Sequence, residues 1–330
     1  MGKNGRERTK NYFESNASSL HLFNYLSDLI TIQEKIKLIF VASTIMSVQL
    51  FLIPHINRLK SKYKIIIVSN LKNFDKFDSN LFDGCKLVHI NFSRGINFLS
   101  DFISIIYLTC LFFKYRPNIS FSLTPKGGFL SSISSFLSFT SIRIHWFGGQ
   151  VWSNKKGLFR DLLKFTDKII ASLSTELLTE CKSQLNYLIE NKILKKSKIQ
   201  ILGNGSISGV NHNIFKRSIT QRKYIRKKFN INNNTTVILY LGRLNIDKGI
   251  LDLISAFNNI LDKKYEVKML IVGPDEDNIN NKIESIYYHS KSKIDIIPFT
   301  SKPEDFMSAS DIFCLPSYRE GFGMSAIEAS

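Results

Sequence analysis

The sequence predicts an α/β protein built from two doubly wound, Rossmann-like domains. Short, fully apolar runs recur along the chain, the first at residues 37–43 and 65–69, and segments with helical periodicity separate them. Such runs are typical of strands buried on both faces of a parallel sheet, and their alternation with helices indicates repeated βαβ units. A polar, basic stretch at 207–235 interrupts the series before a new one begins at 237–241. Two parallel sheets in succession are therefore expected, facing each other across a cleft.

The domain boundaries follow from where each series begins and ends. We expect an N-terminal basic and amphipathic extension at 1–34, a first domain at 35–206 that binds an acceptor, and a second domain at 207–330 that binds a donor. The extension is compatible with a packing arm or with a membrane-surface anchor, and the sequence leaves both open. The remaining predicted strands lie at 87–90, 119–122, 142–145, 169–172, 199–202, 268–272, 294–297 and 312–315.

The composition excludes a disordered chain and points to an anionic partner. Hydrophobic residues make up 44% and charged residues 22% of the 330 residues, while the formal net charge is +18. So large a positive charge favours phosphorylated small molecules or an acidic membrane surface as the partner. Nucleic acid is not expected, because no basic strand carries interleaved aromatic residues.

The cysteines and the apolar stretches indicate in which cellular compartment the protein is expected. The four cysteines are scattered without a Cys-x-x-Cys pair, which favours free thiols in a reducing compartment and offers no zinc site. The first residues are polar and lack the apolar core of a secretory signal. The most apolar stretch, 98–113, is short for a membrane span and contains Asp101, so a buried amphipathic helix is favoured over one lying on a membrane. We expect a cytoplasmic protein, soluble or peripheral on the inner face of the cell membrane.

The loop after the predicted strand at 237–241 places two cations between glycines. Gly242 permits a tight exit from the strand, and Arg243 and Lys248 stand at the mouth of the apolar helix that follows Gly249. The planar fork of an arginine, the point charge of a lysine and a helix N-terminus can together neutralise a diphosphate. A solvated basic loop is the alternative, but a position at the carboxyl end of a parallel strand favours a ligand site.

A second loop suited to an anion begins at Glu320. The Gly-x-Gly turn that follows, with Phe322 between Gly321 and Gly323, lets backbone N–H groups approach a ligand and leads into a helix-prone run that carries Glu328. The spacing of the two carboxylates is a little over two helical turns, which places them on one side. Two acceptors on one wall suit a ligand that is rich in hydroxyls.

These motifs resemble the donor-binding half of the family 4 (group 1) retaining glycosyltransferases. The resemblance rests on Gly-Arg-Leu-x-x-Asp-Lys-Gly at 242–249, Val-Gly-Pro-Asp-Glu at 272–276 and Pro-Ser-x-x-Glu-Gly-Phe-Gly at 316–323 with Glu328 beyond. Shorter motifs at 124–128, 147–152 and 203–210 resemble the bacterial branch that builds lipid-linked oligosaccharides for capsule, O-antigen or exopolysaccharide. The resemblance covers roughly residues 36–330 and implies the GT-B fold, two Rossmann-like domains with a nucleotide-sugar in the cleft.

The resemblance implies a role for each donor-site residue. Arg243 and Lys248 would hold the diphosphate and stabilise the nucleoside diphosphate as it leaves. Glu328 would accept hydrogen bonds from the ribose hydroxyls, and Glu320 from hydroxyls of the donor sugar, with the N–H groups around Phe322 and Gly323 close by. Cations that stabilise the leaving group fit a reaction without a metal cofactor. The acidic run 275–277 formally contains an Asp-x-Asp pair, but we interpret it as a solvated loop.

Acceptor-side residues are expected in the first domain. Lys126, in the turn after the strand at 119–122, is a candidate for contacting an acceptor phosphate, with an exposed turn lysine as the alternative reading. His145 stands at a strand end, where a structural role is the commoner one. The family's histidine aligns instead with Gly148 of this sequence, which is a departure from the pattern. Arg94 resembles a basic position of the branch and is otherwise a surface arginine.

The second departure concerns the end of the chain. Relatives continue past the helix that carries Glu328 with further strands and helices, so we expect the second domain to be incomplete at Ser330 and its activity to be reduced.

The expected function is transfer of a sugar, with retention, from a nucleoside diphosphate sugar to a polyprenyl-diphosphate-linked acceptor at the anionic inner face of the membrane. A UDP-sugar is the favoured donor, and the transferred unit is a hexose or an N-acetylhexosamine. The same-fold alternative is a nucleotide-sugar epimerase or hydrolase, which would release sugar without an acceptor. A non-catalytic basic binding protein is the third hypothesis.

Overall fold

A computed structural model of the protein describes residues 15–29, 36–72, 79–93, 95–195, 198–263, 265–286 and 292–330. These residues form two compact units, which meet in sequence between Gly209 and Val210 and are described one at a time below.

The first unit, 15–209, contains a seven-stranded parallel sheet with the strand order β3-β2-β1-β4-β5-β6-β7. The chain starts at the central strand β1, moves outward to β3, and then returns to β4 on the other side of β1. This is the topology of a doubly wound sheet, and its switch point lies between the carboxyl ends of β1 and β4. In chain order the elements are α1 (Ser15–Asp28), β1 (Lys37–Ala42), α2 (Ile45–Leu59), β2 (Lys64–Ser69), β3 (Lys86–His89), α3 (Phe98–Tyr115), β4 (Ile119–Leu123), α4 (Pro125–Leu137), β5 (Ile142–Phe147), α5 (Gly157–Leu173), β6 (Glu176–Thr179), α6 (Lys182–Glu190) and β7 (Ile199–Ile201).

Helices cover the two faces of this sheet, and alternate side chains of β1 show which helix lies on which face. Phe40 packs in the same cluster as residues of α1 and α2, whereas Ile39 and Val41 pack with residues of α3 and α4. Side chains of a strand alternate between the faces, so α1 and α2 lie on one side and α3 and α4 on the other. The strand is buried on both faces, which explains why it is continuously apolar.

The second unit, 210–330, contains a four-stranded parallel sheet with the order β10-β9-β8-β11. The chain again starts in the middle, at β8, moves outward to β10 and returns to β11 on the other side. The switch point of this sheet therefore lies between the carboxyl ends of β8 and β11. The elements are α7 (Ile219–Lys228), β8 (Thr236–Leu241), a 3₁₀ turn (Ile246–Lys248), α8 (Ile250–Leu261), β9 (Val267–Val272), α9 (Ile279–Ile286), β10 (Ile294–Ile297), α10 (Pro303–Ala309), β11 (Ile312–Phe313) and α11 (Met324–Glu328).

The predicted fold class of parallel, doubly wound α/β sheets is confirmed, but one predicted strand is wrong. Residues 169–172 form the last turn of α5, and the strand that follows is β6 at Glu176–Thr179. Ile170 and Ala171 are buried because they lie on the inward side of the helix together with Asp167. A run of four apolar residues is compatible with either element, and the periodicity of the longer segment decides for the helix.

Two predictions about apolar segments are modified by the structure. Leu22 and Leu26 of α1 are fully buried in the first unit, while residues 1–14 and 30–34 of the proposed extension lie outside the described residues. The stretch at 98–113 belongs to α3, and only 22% of this 18-residue helix is buried. The prediction that this stretch forms a buried helix is therefore wrong for the outer side of α3. Within the described residues, α3 is the one helix long and apolar enough to cross a membrane by length and composition.

Candidate functional site

The two loops that the sequence singles out lie at the switch point of the second sheet. Gly242 and Arg243 follow β8 directly, and the 3₁₀ turn that contains Lys248 leads into α8. The loop that carries Glu320 follows β11, which pairs with β8 in parallel. Parallel neighbours end at the same edge of a sheet, and this is where ligands of doubly wound proteins bind.

An ion pair joins these two loops. Lys248 Nζ donates to Glu320 Oε1 across 72 residues of sequence, and Ser317 Oγ donates to the same oxygen at 2.7 Å. The Lys248 and Glu320 side chains are 16% and 30% exposed. The attraction between them is therefore stronger than that of a pair on the open surface. Burial, and then the carboxylate of Glu320, raise the pKa of the nearby Tyr240 phenol, which stays protonated.

A backbone contact keeps the two loops close together. Gly249 has a φ of +65°, and a Cβ at this position would collide with the carbonyl oxygen of Pro316. Only glycine fits both the left-handed conformation and the close approach. Tyr318 adds a hydrogen bond from its hydroxyl to Asp252 Oδ2 of α8 at 2.7 Å, and its N–H donates to Asp247 O at 3.0 Å. The ion pair thus lies in a frame fixed by backbone contacts on both sides.

Arg243 is held by Glu276, a residue that the sequence analysis assigned to a solvated loop. Arg243 Nη1 donates to Glu276 Oε2 at 2.8 Å, and Asn245 Nδ2 donates to the same oxygen at 3.2 Å. The N–H of Glu276 in turn donates to Leu244 O at 3.0 Å. The Arg243 and Glu276 side chains are 51% and 36% exposed, so this pair is open to solvent and to a ligand.

The interpretation of residues 275–277 as merely solvated is wrong. Asp275 accepts hydrogen bonds from the N–H groups of Ile279 and Asn280 at 2.8 and 3.0 Å, which caps the N-terminus of α9. Asp277 accepts one from the N–H of Ile246 at 3.0 Å. The carboxylates of Glu276 and Asp277 therefore brace the loop that carries the cations, whereas that of Asp275 caps α9. The cue available in the sequence is an aspartate shortly before a helical segment, because aspartate is favoured near helix N-termini.

Arg319 is a further cation at this edge that the sequence analysis missed. Its guanidinium lies 3.8 Å from Asp247 Oδ2. Burial lowers the pKa of Arg319, and the neighbouring Asp247 carboxylate partly opposes this effect. Arginine remains charged under such conditions. The edge therefore presents three basic side chains, from residues 243, 248 and 319.

Glu328, on α11, lies in a depression of the same unit. Burial, with a smaller contribution from the carboxylate of Glu304, raises its pKa to about 7. The cavity of about 320 Å³ that it lines also contains Lys216, Arg217 and Asp311 among its lining residues. Of the predicted donor-site residues, the structure thus brings Lys248 and Glu320 into direct contact and places Arg243 in the same loop as Lys248. Gly242, Phe322 and Gly323 flank these residues in sequence.

In the first unit, the switch point is occupied by a strained residue. Thr124, directly after β4, has a φ of +71° although it is β-branched, a conformation that costs about 1–3 kcal/mol. Its hydroxyl lies 2.8 Å from Ser43 Oγ and accepts from the N–H of Ser43 at 3.1 Å, directly after β1. Strain of this kind concentrates at functional sites. Thr124 is therefore a candidate site residue that the sequence analysis did not single out.

Lys126 is largely buried, so the alternative reading as an exposed turn lysine is wrong. Its ammonium lies 2.7 Å from Asp101 Oδ1 of α3 and donates to Ser93 Oγ at 2.6 Å and to Gly95 O. It fastens the start of α4 to the loop before α3. A contact with an acceptor phosphate would have to compete with Asp101. Arg94, in the same loop, lies outside the described residues.

His145 is buried and neutral. Burial lowers its pKa to about 3, its Nδ1 lies 2.9 Å from Ser122 Oγ, and its ring fills the space where a Cβ on Gly128 would be. These contacts describe a packed histidine, as the commoner reading predicts. Gly148 accepts a hydrogen bond at its carbonyl from Gln150 Nε2 at 2.7 Å. With Thr124, both residues line a small cavity of about 30 Å³.

A buried carboxyl group lies beside the same cavity. Asp167 of α5 accepts a hydrogen bond from Trp152 Nε1 at 2.7 Å, and burial raises its pKa to about 6, against the smaller opposing effect of that bond. The folded state holds the proton of Asp167 more tightly than the unfolded chain does. The contribution of the protonated Asp167 carboxyl to the free energy of unfolding is therefore fully present below pH 3.8 and is lost as the pH rises through 6.

Asp167→Asn is therefore expected to change the pH dependence of stability. The asparagine keeps an acceptor for Trp152 and has no charge to bury, so between pH 4 and pH 7.5 the variant should gain about 2–3 kcal/mol relative to the original protein. Urea titrations followed by tryptophan fluorescence measure the difference, since both tryptophans lie in the first unit. An unchanged difference at the two pH values would contradict the expectation.

Comparison with known proteins gives the family. The model of the family described as "Glycosyl transferases group 1" matches residues 221–330, which contain all the donor-site residues above. A capsular polysaccharide biosynthesis glycosyltransferase of Staphylococcus aureus is 31% identical over 266 residues, which are 80% of this chain and 68% of that protein. The chain belongs to the group 1 glycosyltransferases.

Two further similarities agree with this membership. An Escherichia coli protein named UDP-Gal:alpha-D-GlcNAc-diphosphoundecaprenol alpha-1,3-galactosyltransferase is 23% identical over 240 residues, which are 72% of this chain and 61% of that relative. The structure of an Anabaena protein in complex with UDP and glucose superimposes with a TM-score of 0.69 at 14% identity, over 90% of this chain and 78% of that one. The latter similarity shows that the two proteins share the GT-B type of fold. The chain matches 68% of the length of the S. aureus relative and 61% of that of the E. coli relative.

Proposed function

We propose that this group 1 glycosyltransferase moves a hexose or N-acetylhexosamine, with retention of configuration, from a UDP-sugar to a polyprenyl-diphosphate-linked acceptor during surface polysaccharide synthesis. The observation that carries the proposal is the meeting of Lys248 and Glu320 at the switch point of the second sheet, with Arg243 in the adjoining loop. Cations beside a carboxylate suit a ligand that combines a diphosphate with a hydroxyl-rich sugar.

Each side chain has a proposed role in this transfer. Arg243 and Lys248 bind the diphosphate and stabilise the charge that develops on it as the bond to the sugar breaks. Glu320 accepts hydrogen bonds from sugar hydroxyls once the ligand has displaced part of its contact with Lys248. Glu328, in its ionised form, accepts from the ribose hydroxyls. The acceptor attacks from the face that the diphosphate leaves, which accounts for retention.

The donor and the acceptor are inferred from similar proteins. The Anabaena protein binds UDP and glucose, and the E. coli relative is named for a UDP-sugar donor and a diphosphoundecaprenol acceptor. The capsular relative from S. aureus supports a role in surface polysaccharide synthesis. A chain with a net charge of +18 suits an acceptor anchored in an anionic membrane. We therefore propose that the protein acts at the cytoplasmic face of the membrane.

A transfer assay tests the proposal. The protein is incubated with radiolabelled UDP-sugars and with lipid-linked sugars extracted from membranes, and transfer is measured as label that moves into the organic phase. The anomeric configuration of the product, determined by NMR, tests retention. Sugar or epimer released without any acceptor would favour the epimerase or hydrolase instead. Absence of UDP binding, with vesicle binding retained, would favour the non-catalytic alternative.

A further inference from the structure

The outer side of α3 is apolar, which is the reverse of a helix that faces water. No charged residue lies on this side before Lys114 near the end of the helix, whereas Ser104 is buried and Asp101 is turned toward Lys126. An ordinary surface helix places its polar residues outward. The large apolar side chains of α3, which are 49–77% exposed, are Phe98, Leu99, Phe102, Ile103, Ile106, Tyr107 and Phe113.

The apolar surface continues on the neighbouring helices. α4 packs between α3 and α5, and the hydroxyl of Ser134 on α4 donates a hydrogen bond to Ile105 O of α3 at 3.2 Å. The three helices therefore form one layer. We call its exposed apolar side chains the apolar helix face. Beyond α3, its members are Phe136, Leu137 and Phe139 at the end of α4 and Leu158, Phe159, Leu162 and Phe165 of α5.

Single exposed apolar residues are common, but contiguous exposed apolar surface is not and marks a site of interaction with a partner. The charges around the apolar helix face indicate the kind of partner. Residues 98–173 contain nine basic and three acidic side chains. Asp101 and Lys126 are paired with each other and Asp167 is buried, which leaves eight basic side chains and one acidic side chain, Asp161. Lys155 and Lys156 are exposed directly before α5.

We propose that the apolar helix face docks on an anionic lipid bilayer, with α3 and α5 lying in the interface and the surrounding lysines and arginines at the head groups. Apolar burial and attraction to anionic lipids act together in this mode of binding. A second copy of the chain fits less well, because two faces rimmed by the same charge repel each other. This inference deepens the proposed function by naming the surface that meets the membrane.

The helices lie along the bilayer and do not cross it. α3 connects β3 to β4 of one sheet, and Leu108, Leu111 and Phe112 on its inner side are buried against that sheet. Pulling the helix away to span a bilayer would expose both this core and the sheet. The docked arrangement keeps the core intact and covers only the side that faces solvent.

One end of the apolar helix face lies where an acceptor would react. α3 begins after β3 and α5 begins after β5, so Phe98 and Leu158 are at the edge of the sheet that holds the carboxyl ends of the strands. Thr124 is at the same edge, directly after β4. A polyprenyl chain can then remain in the bilayer while its head group reaches this edge.

Vesicle flotation with matched variants tests the docking. Phe102 and Leu50 are both 61% exposed, but Leu50 lies on α2, on the opposite side of the sheet. With vesicles containing phosphatidylglycerol, Phe102→Asp should lower the partition coefficient by at least about tenfold, and Leu50→Asp should leave it unchanged. The double variant Lys155→Glu/Lys156→Glu should lower it by at least about tenfold as well, while the exposed pair Lys227→Glu/Lys228→Glu in the second unit should not.

A lipid-specific probe distinguishes a bilayer from a second copy of the chain. Cys110 is exposed on the outer side of α3, and in a variant with the other three cysteines replaced by serine it carries a fluorescent dye. Quenching by nitroxide-labelled phosphatidylglycerol is expected. Absence of quenching, equal partition of Phe102→Asp and Leu50→Asp, or a dimer that Phe102→Asp dissociates in the absence of lipid would each overturn the proposal. UDP binding, measured on the same variants, should be unchanged and separates this outcome from failure of the donor site.

Discussion

Arg243→Ala is expected to weaken binding of UDP by about a hundredfold. A guanidinium that donates to a diphosphate makes charge-assisted hydrogen bonds, and losing them costs about 2–3 kcal/mol. The existing partner of Arg243 does not prevent this contact. The pair with Glu276 is solvent-exposed, and such pairs contribute about 0–1 kcal/mol. A diphosphate with a larger charge can therefore displace the carboxylate of Glu276.

Substitution of Glu276 is expected to change the affinity for UDP in the opposite direction, because this carboxylate competes with the diphosphate for Arg243. Glu276→Gln removes a competitor for Arg243 and a negative charge beside the diphosphate, so UDP affinity should rise about two- to fivefold. Isothermal titration calorimetry at low ionic strength measures both changes. Lys263→Ala serves as the control, because this exposed lysine follows the other end of α8. If Arg243→Ala and Lys263→Ala bind UDP equally well, the assignment of Arg243 to the donor site is wrong.

The donor site could be predicted in part from the sequence, because its elements are local. Gly242, Arg243 and Lys248 occur within seven residues after an obvious buried strand, and that position alone indicates a ligand loop. The contact between Lys248 and Glu320 depends on the return of the chain to β11 beside β8, which no local pattern contains. The family resemblance implied that both residues serve one nucleotide-sugar, but neither it nor the local pattern predicted a direct contact between their side chains.

Other features depend on tertiary contacts and could not be predicted. Glu276 contacts Arg243 only because β9 lies next to β8. Its role in holding Arg243 could therefore not be predicted from the acidic loop alone. The error at 169–172 has a similar cause, since burial of Ile170 arises from packing of α5 rather than from a strand. The outward orientation of Phe98 and Phe102 was missed because a uniformly apolar segment does not reveal which side faces the core.

Asp311→Ala is expected to destabilise the second unit by about 2–3 kcal/mol. Asp311, directly before β11, accepts hydrogen bonds from Arg222 Nη2 and Arg226 Nη2 at 2.6 Å each and from the N–H of Val237 at 2.8 Å. The side chain of Arg226 is only 5% exposed. Truncating the carboxylate leaves this buried charge without its counter-ion, which is costlier than the pair itself is worth. The expected loss is smaller than the roughly 3–5 kcal/mol of a fully buried pair, because Asp311 is about one-third exposed.

The pH dependence and the location of the change make this prediction specific. Burial alone would raise the pKa of Asp311, but the N–H of Val237 and the two guanidiniums outweigh it and lower the pKa. The stabilisation by the ionised carboxylate is therefore present above pH 3.8 and is lost as the pH falls through the lower folded pKa, so the difference between the variant and the original protein should shrink as the pH falls below 3.8. Hydrogen exchange of β8 amides should accelerate, whereas the tryptophan transition of the first unit stays in place. Asp262→Ala, an exposed residue at the end of α8, provides the control. Equal exchange in the two variants would show that Asp311 does not hold α7 to the sheet.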